Sequence, residues 1–255
     1  MTIIDILNLG MSIGFLLLEN GAEVYRVEES VRRVCQAYGY EDAVLFVVPT
    51  IITITVTGHD GTPYSKTKRV YYRKTDLHKV KLVNTLCRNI TDKGVSYEEA
   101  IREIDRIHHA AHYSFLFQMV SLGVGAFFFS LFFNATLGDA IFSFFIGCLL
   151  RWVISFTGLT KTNVFFESII GGMTVSILVT ILSKFGFIMH PDRILMGSIM
   201  TLTPGLAMTN AMRDIMAGDL LAGLTKSTET ILIAAGIALG VALPIILIKP
   251  LGGIL

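Results

Sequence analysis

The chain has 255 residues, 53% of them hydrophobic and only 16% charged, with mean hydropathy +0.64; ordinary soluble domains run at roughly 45 to 50% apolar and about 25% charged, so a wholly soluble protein is excluded. A net charge of +1 with no basic block gives no electrostatic footprint for nucleic acid and excludes it as a partner. Three scattered cysteines, Cys35, Cys87 and Cys148, with no C-x-x-C, exclude a disulfide scaffold and a zinc knot and suit reduced thiols in a cytoplasmic setting.

The charge is unevenly placed. Residues 1–112 hold 14 Lys+Arg and 14 Asp+Glu, and residues 113–255 hold 7 and 6. This predicts an α-helical multi-spanning membrane protein with an N-terminal soluble α+β domain: residues 1–112 form the cytoplasmic domain and residues 113–255 a transmembrane bundle of about five helices. The opening segment has no basic n-region, so it is not a signal peptide. Asp5, Asn8, Ser12 and Glu19 fall on one helical face and Ile3, Leu7, Met11, Phe15 and Leu18 on the other, which predicts an amphipathic helix.

Asn20 and Gly21 break that helix. A second follows with Val24, Val27, Val31, Val34 and Tyr38 at three- and four-residue spacing, and with Glu28–Arg32 and Glu29–Arg33 as i,i+4 pairs. Ile52, Ile54 and Val56 alternate with threonines, the period of a strand, and Pro49 marks the corner before them. The Lys-rich YSKTKRVYYR suits an edge strand. Two more helices are predicted, from about Asp76 to Ile90 and from Ser96, where Ser96 and Glu99 form a capping box.

From residue 113 the pattern changes to apolar runs of about the 20 residues that a ~30 Å hydrocarbon core requires. Five spans are predicted, at about 114–133, 138–157, 164–183, 192–211 and 228–248. Basic residues set the orientation by the positive-inside rule: Arg102, Arg106, Arg151, Lys161, Arg213 and Lys226 inside, Lys184, Arg193 and Lys249 outside. The sequence thus predicts a multi-pass protein of the inner (cytoplasmic) membrane, embedded in the lipid bilayer, with its N-terminal domain in the cytoplasm.

The stretch TLTPGLAMTNAMRDIMAGD, residues 201–219, breaks its own helix. Thr203 followed by Pro204 is an N-cap and first-turn combination. Asn210, Arg213 and Asp214 share a face of the new helix, with Gly205 and Gly218 allowing close approach. A broken helix whose N-terminus meets an anionic group is a transporter device, and Arg213 supplies a planar cation for a carboxylate. Three readings of residues 206–227 are open here: a site lining a translocation path, a cytoplasmic loop with a short surface helix, and packing between subunits. Glu167 and Arg151 lie inside predicted spans near their ends, where an ionisable group costs less than the roughly 2.5 to 3.5 kcal/mol of a span centre and can also snorkel. His108, His109 and His112 form H-H-x-x-H with His108 and His112 at i,i+4, the spacing of two metal ligands, but no acidic or thiol third ligand is adjacent except Asp105, so a solvated interfacial cluster is expected, with no metal and no cofactor. No Walker lysine loop, G-x-S-x-G or H-E-x-x-H occurs, so transport would run on a gradient.

LLLENGAEVYRVEESVRRVCQAYG with the FVVPT corner resembles the N-terminal signature of the threonine/serine exporter family, and TPGLAMTNAMRDIMAGDLLAGLTKSTETILIAAGIALG resembles its membrane motif. The likeness is closest to the YjjP-like, split-subunit branch. Asn20, Gly21, Glu23, Tyr25, Arg26 and Glu28 match the first motif. Pro204, Gly205, Asn210, Arg213, Asp214, Gly218, Asp219 and Glu229 match the second. The resemblance implies export of threonine and serine, or of dicarboxylates such as succinate, by a hetero-oligomer in which a second five-span subunit completes the assembly. It is not an enzyme on this reading. The candidate substrate-binding set is Thr203, Pro204, Gly205, Asn210, Arg213, Asp214, Asp219, Glu229 and Glu167. Two competing readings are a membrane-tethered enzyme using Glu23, Arg26, Glu28 and His59, and a non-transporting sensor or scaffold. Five spans exceed what an anchor needs, which favours transport.

Overall fold

The structure, a computed structural model, describes residues 2–58, 60–111, 113–159 and 163–248. His59, His112, Lys161 and Lys249, named above, lie outside the described residues. The chain divides into two compact units, one of Met1–Ala111 with Leu206–Thr228, the other of His112–Gly205 with Glu229–Leu255.

In the first unit, α1 (Ile3–Glu19) opens on a capping box between Thr2 and Asp5. The structure embeds this helix more deeply than an amphipathic surface helix. Ile6, Leu9, Ile13 and Leu17 are all buried, because α2 (Val24–Ala37), the sheet and the two helices that follow it all pack on α1. Gly10 lets α2 approach: a Cβ there would stand 3.1 Å from Val31 Cγ1. On the polar strip Lys66 bonds Asn8, and on the apolar face the Lys68 ammonium stands 3.6 Å from the Phe15 ring centroid.

The valine periodicity of α2 is as expected, with Val24, Val27, Val31 and Val34 fully buried. Glu29 pairs with Arg33 at 2.5 Å. Glu28 does not pair with Arg32; its Oε1 instead accepts the Val47 amide at 3.1 Å. The sheet is antiparallel in the order β1 (Ala43–Val48), β2 (Ile51–Thr57), β3 (Pro63–Arg69), with Val48 opposite Ile51 across the Pro49 corner and Ile54 opposite Lys66. Ile52, Ile54 and Val56 face the core. β3 is exposed throughout, an edge blunted by its lysines. Asp76 caps α3 (Leu77–Lys93), which ends on Gly94 at φ 66°, and Ser96 Oγ accepts the Glu99 amide to start α4 (Tyr97–His108).

The remaining helices are α5 (Phe115–Phe132), α6 (Leu137–Leu159), α7 (Val164–Lys184), α8 (Pro191–Met200), α9 (Gly205–Met216) and α10 (Leu220–Ile248). Among the described residues four helices are long and apolar enough to cross a membrane, over Phe115–Phe132, Leu137–Thr157, Val164–Lys184 and Leu220–Leu247. The stretch 192–211 is not one continuous helix. It is divided between α8 and α9, and the 10 residues of α8 rise only about 15 Å, half of a ~30 Å core.

Small residues set the packing in the second unit, as expected where lipid removes the hydrophobic drive between helices. A Cβ on Gly147 of α6 would lie 2.8 Å from Leu122 O of α5, and one on Gly172 of α7 would lie 2.6 Å from Ile237 O of α10. Ser130 and Ser143 hydroxyls meet at 2.6 Å between α5 and α6. Asp139 is buried and goes beyond capping α6: it accepts from Thr136 Oγ1 at 2.8 Å and from the Met189 amide at 2.9 Å, and it meets His190 Nδ1 at 2.9 Å.

Candidate functional site

The two motifs meet within the first unit. Asn20 closes α1, its Nδ2 donating to Leu16 O at 2.7 Å, and Gly21 turns the chain at φ 88°, with Lys74 O close to where a Cβ would stand. Glu23 then starts α2 without a side-chain cap of its own. The cap comes from 190 residues away: Asp214 Oδ1 accepts the Val24 amide at 3.2 Å, placing a carboxylate at the positive end of α2.

Asp214 is fully buried, and its other oxygen takes the Lys226 ammonium at 2.7 Å. Lys226 also reaches Ala22 O at 3.5 Å, and Asn210 Nδ2 donates to Gly21 O at 3.3 Å. Glu23 divides its carboxylate, Oε1 to Arg213 Nη1 at 2.5 Å and Oε2 to Arg26 Nε at 3.3 Å. Arg26 Nε donates to the Tyr25 hydroxyl at 3.0 Å, and that bond and Glu23 together hold the guanidinium pKa above its usual value. A clasp of alternating charge thus fastens the α1–α2 turn to α9 and the first turns of α10. Asp214 serves Lys226 and α2 rather than orienting Arg213.

Two further carboxyls border the clasp. Burial, then the charges of Asp214 against Lys226, push the Asp219 carboxyl up. Glu28 is pushed up by burial and by Asp219, against the Val47 amide that lowers it. Gly218, at φ 94°, makes the turn between α9 and α10 that brings Asp219 there.

The other expected residues lie elsewhere. Thr203 donates to Ile199 O at 3.4 Å, back toward α8 rather than forward into α9. Thr203 and Pro204 line an apolar cavity of about 600 Å³ in the second unit, with Ile237, Ala238 and Val241 of α10. Gly205 opens α9. Glu167 is half-buried on α7 and within electrostatic reach of Arg151, whose guanidinium donates to Gln118 Oε1 from Nη2 at 2.5 Å. Glu229 sits on α10 in the second unit. Sequence reasoning missed Lys226 as a member of the clasp; the only signal was a lone lysine near the start of an apolar helix.

Apolar helices long enough to span, packed through glycine and serine, define a multi-pass membrane protein. The family model ThrE, described as "Putative threonine/serine exporter", matches residues 8–247, and the chain belongs to that family. It is similar to a "Probable threonine/serine exporter" of Mycobacterium tuberculosis (strain ATCC 25618 / H37Rv), at 24% identity over 241 residues, covering 92% of this chain and 45% of that protein. The chain therefore spans less than half the length of that relative. No solved structure matches it.

Proposed function

We propose that the chain is one subunit of a secondary exporter of small hydrophilic metabolites, amino acids such as threonine and serine or dicarboxylates such as succinate. It works with a second five-span subunit of the split-subunit kind, in the cytoplasmic membrane, with residues 1–112 on the cytoplasmic side.

The observation that carries this reading is the membership of the first unit, which holds both residues up to Ala111 and residues from Leu206. Segments of one compact unit outside the bilayer share a side of the membrane, yet three candidate spans, α5, α6 and α7, lie between them. An odd number of crossings needs one more, and it falls to residues 185–205. The helix α8 supplies about 15 Å, and the chain leaves it through a hydrogen-bonded turn in which the amides of Thr201, Leu202 and Thr203 donate to Ser198 O, Ile199 O and Met200 O, so this crossing is shorter than a ~30 Å core and is broken at Pro204 before α9 begins. With α10 this makes five crossings, the fourth of them a short helix that ends in a turn.

Backbone that leaves the helix at membrane depth is tolerated only where protein buries it or a water-filled cavity hydrates it, and broken crossings of this kind hold cargo in transporters. Thr203, Pro204 and Gly205 border the break. At its end, Arg213 is half-exposed, with 47% of its side chain accessible, so a cargo carboxylate competes with Glu23 for it. Alternating access moves one half of a transporter against another. The apolar cavity along α10 suits side chains of the second subunit better than a hydrophilic cargo.

The test is counterflow of labelled threonine and succinate in vesicles holding this chain alone, or this chain with the second subunit. Flux only in the paired vesicles is expected; substrate-specific flux from the chain alone would overturn the two-subunit reading.

A further inference from the structure

A groove of about 480 Å³ lies between α2 and α3, within the roughly 300–1,000 Å³ of small-molecule sites. Its walls follow one rule on both helices. Apart from Tyr25, which also lines the groove, Arg26, Glu29, Ser30 and Arg33 stand at i, i+3, i+4 and i+7 of α2, and Asn84, Cys87, Arg88 and Thr91 repeat that spacing on α3, so each set is one helical face.

The lining carries three arginines against one carboxylate, Glu29. Arg33 holds Glu29 at 2.5 Å, with both side chains about half or more exposed, and Arg26 reaches the Glu23 carboxylate. Arg88 makes no ion pair among the described residues, and the side chains of Ser30 and Asn84 make no hydrogen bond there. A cation, an amide and a hydroxyl thus converge on one cavity with their hydrogen-bonding capacity unused. The buried Cys87 thiol at the floor is pushed up to about 12 by burial, so it stays neutral and adds no negative charge.

We propose that this groove binds a short-chain dicarboxylate, one carboxylate at each end, as a site separate from any translocation path. Arg26 and Arg33 lie seven residues apart on α2, about 10 Å along its axis, so the cationic centres form two ends rather than one cluster. That separation fits two carboxylates joined by a short carbon chain better than a single compact anion. Arg88 and Arg33 offer planar forks for carboxylates, while Asn84 and Ser30 hydrogen-bond the groups between. A ligand on Arg26 draws it off Glu23 Oε2 and leaves Glu23 to Arg213, so occupancy of the groove is read at the clasp.

The test is equilibrium binding of labelled succinate to the full chain in detergent at low salt, with butyrate and inorganic phosphate as comparison ligands. Saturable succinate binding is expected. Arg88→Gln should weaken it about tenfold or more, the loss of a charge-assisted pair, with the melting temperature unchanged. Asn84→Ala should weaken it at constant net charge. Arg106→Gln, the same charge change at an exposed pair on α4, should leave it intact. Equal loss in Arg106→Gln and Arg88→Gln would reduce the effect to general attraction and overturn the site. So would butyrate or phosphate binding as tightly as succinate, or no binding at millimolar concentration. Because no flux is measured, this result and the transport reading stand or fall separately.

Discussion

Glu23 Oε1 lies 2.5 Å from Arg213 Nη1, although 190 residues separate them. The same carboxylate holds Arg26 through its other oxygen, and the next residue after Arg213, Asp214, caps the helix that Glu23 begins. Two segments that each resemble a family signature are therefore one structural object. On the proposed reading, a cargo carboxylate reaching Arg213 competes with Glu23 for a guanidinium that is half-exposed.

The pair is partly exposed, so its coupling is modest. A double-mutant cycle of Glu23→Gln and Arg213→Gln should give a coupling of about 1 kcal/mol in thermal or denaturant unfolding, and additive single effects would dissolve the link. On transport the expected effects are larger. Arg213→Lys keeps the charge but loses the fork, so flux should drop sharply at unchanged expression, and Arg213→Ala should abolish it. Parental flux in both variants would remove Arg213 from the cargo path.

The Asp214–Lys226 pair is a different case, because the side chains are 0% and 11% exposed. Breaking a buried pair from one side costs about 3–5 kcal/mol, since the other charge stays uncompensated. Lys226→Met should therefore destabilise the first unit strongly, and adding Asp214→Asn should recover part of the loss, less the α2 cap. Denaturant unfolding followed by helix content checks both. A Lys226→Met variant as stable as the parent would mean that Asp214 is hydrated rather than paired.

Periodic segments were legible in the sequence because their partners are local. The valines of α2 and the Ile/Thr alternation of β2 each fix a buried face without reference to the rest of the chain. The burial of α1 was not, because Asn8, Ser12 and Glu19 mark a polar face, while the packing of α2, the sheet, α3 and α4 that buries Ile6, Leu9, Ile13 and Leu17 comes from segments distant in the chain. Glu28 and Arg32 have the spacing of a pair, but the Val47 amide competes for Glu28. The resemblance named Glu23, Arg213 and Asp214 as motif residues. Their meeting was hidden, since spacing along the chain carries no information about contacts 190 residues apart, and the charged stretch after Pro204 reads equally as loop or path until it is seen to belong with the first unit.

Glu28 and Asp219 both have carboxyls raised above the ordinary range, so the folded state keeps their protons at a pH where the unfolded chain has released them. Their contribution to stability is then fully present below the ordinary carboxylate range and is lost as pH rises through the raised values. The melting temperature of the parent should carry a downward component with rising pH across that window. Glu28→Gln, which keeps an acceptor for the Val47 amide, and Asp219→Asn should each flatten it. A pH profile unchanged in both variants would show that the two carboxyls titrate alike in the folded and unfolded states.

Burial pushes the Cys35 thiol up to about 11 and that of Cys87 to about 12, and both are nearly inaccessible. A thiolate is the reactive form, so maleimide should modify them slowly in the folded protein and quickly in denaturant, whichever side of the membrane they occupy. Orientation therefore has to be read elsewhere. Gln36 neighbours Cys35 and is exposed near the end of α2, and Gln36→Cys in a background lacking the native cysteines gives an accessible reporter in the same unit. With residues 1–112 in the cytoplasm, a membrane-impermeant thiol reagent should leave this position unlabelled in intact spheroplasts and label it after lysis. Labelling before lysis would place the first unit, with Arg213 and the clasp, on the outer face and reverse the direction in which the fourth crossing runs.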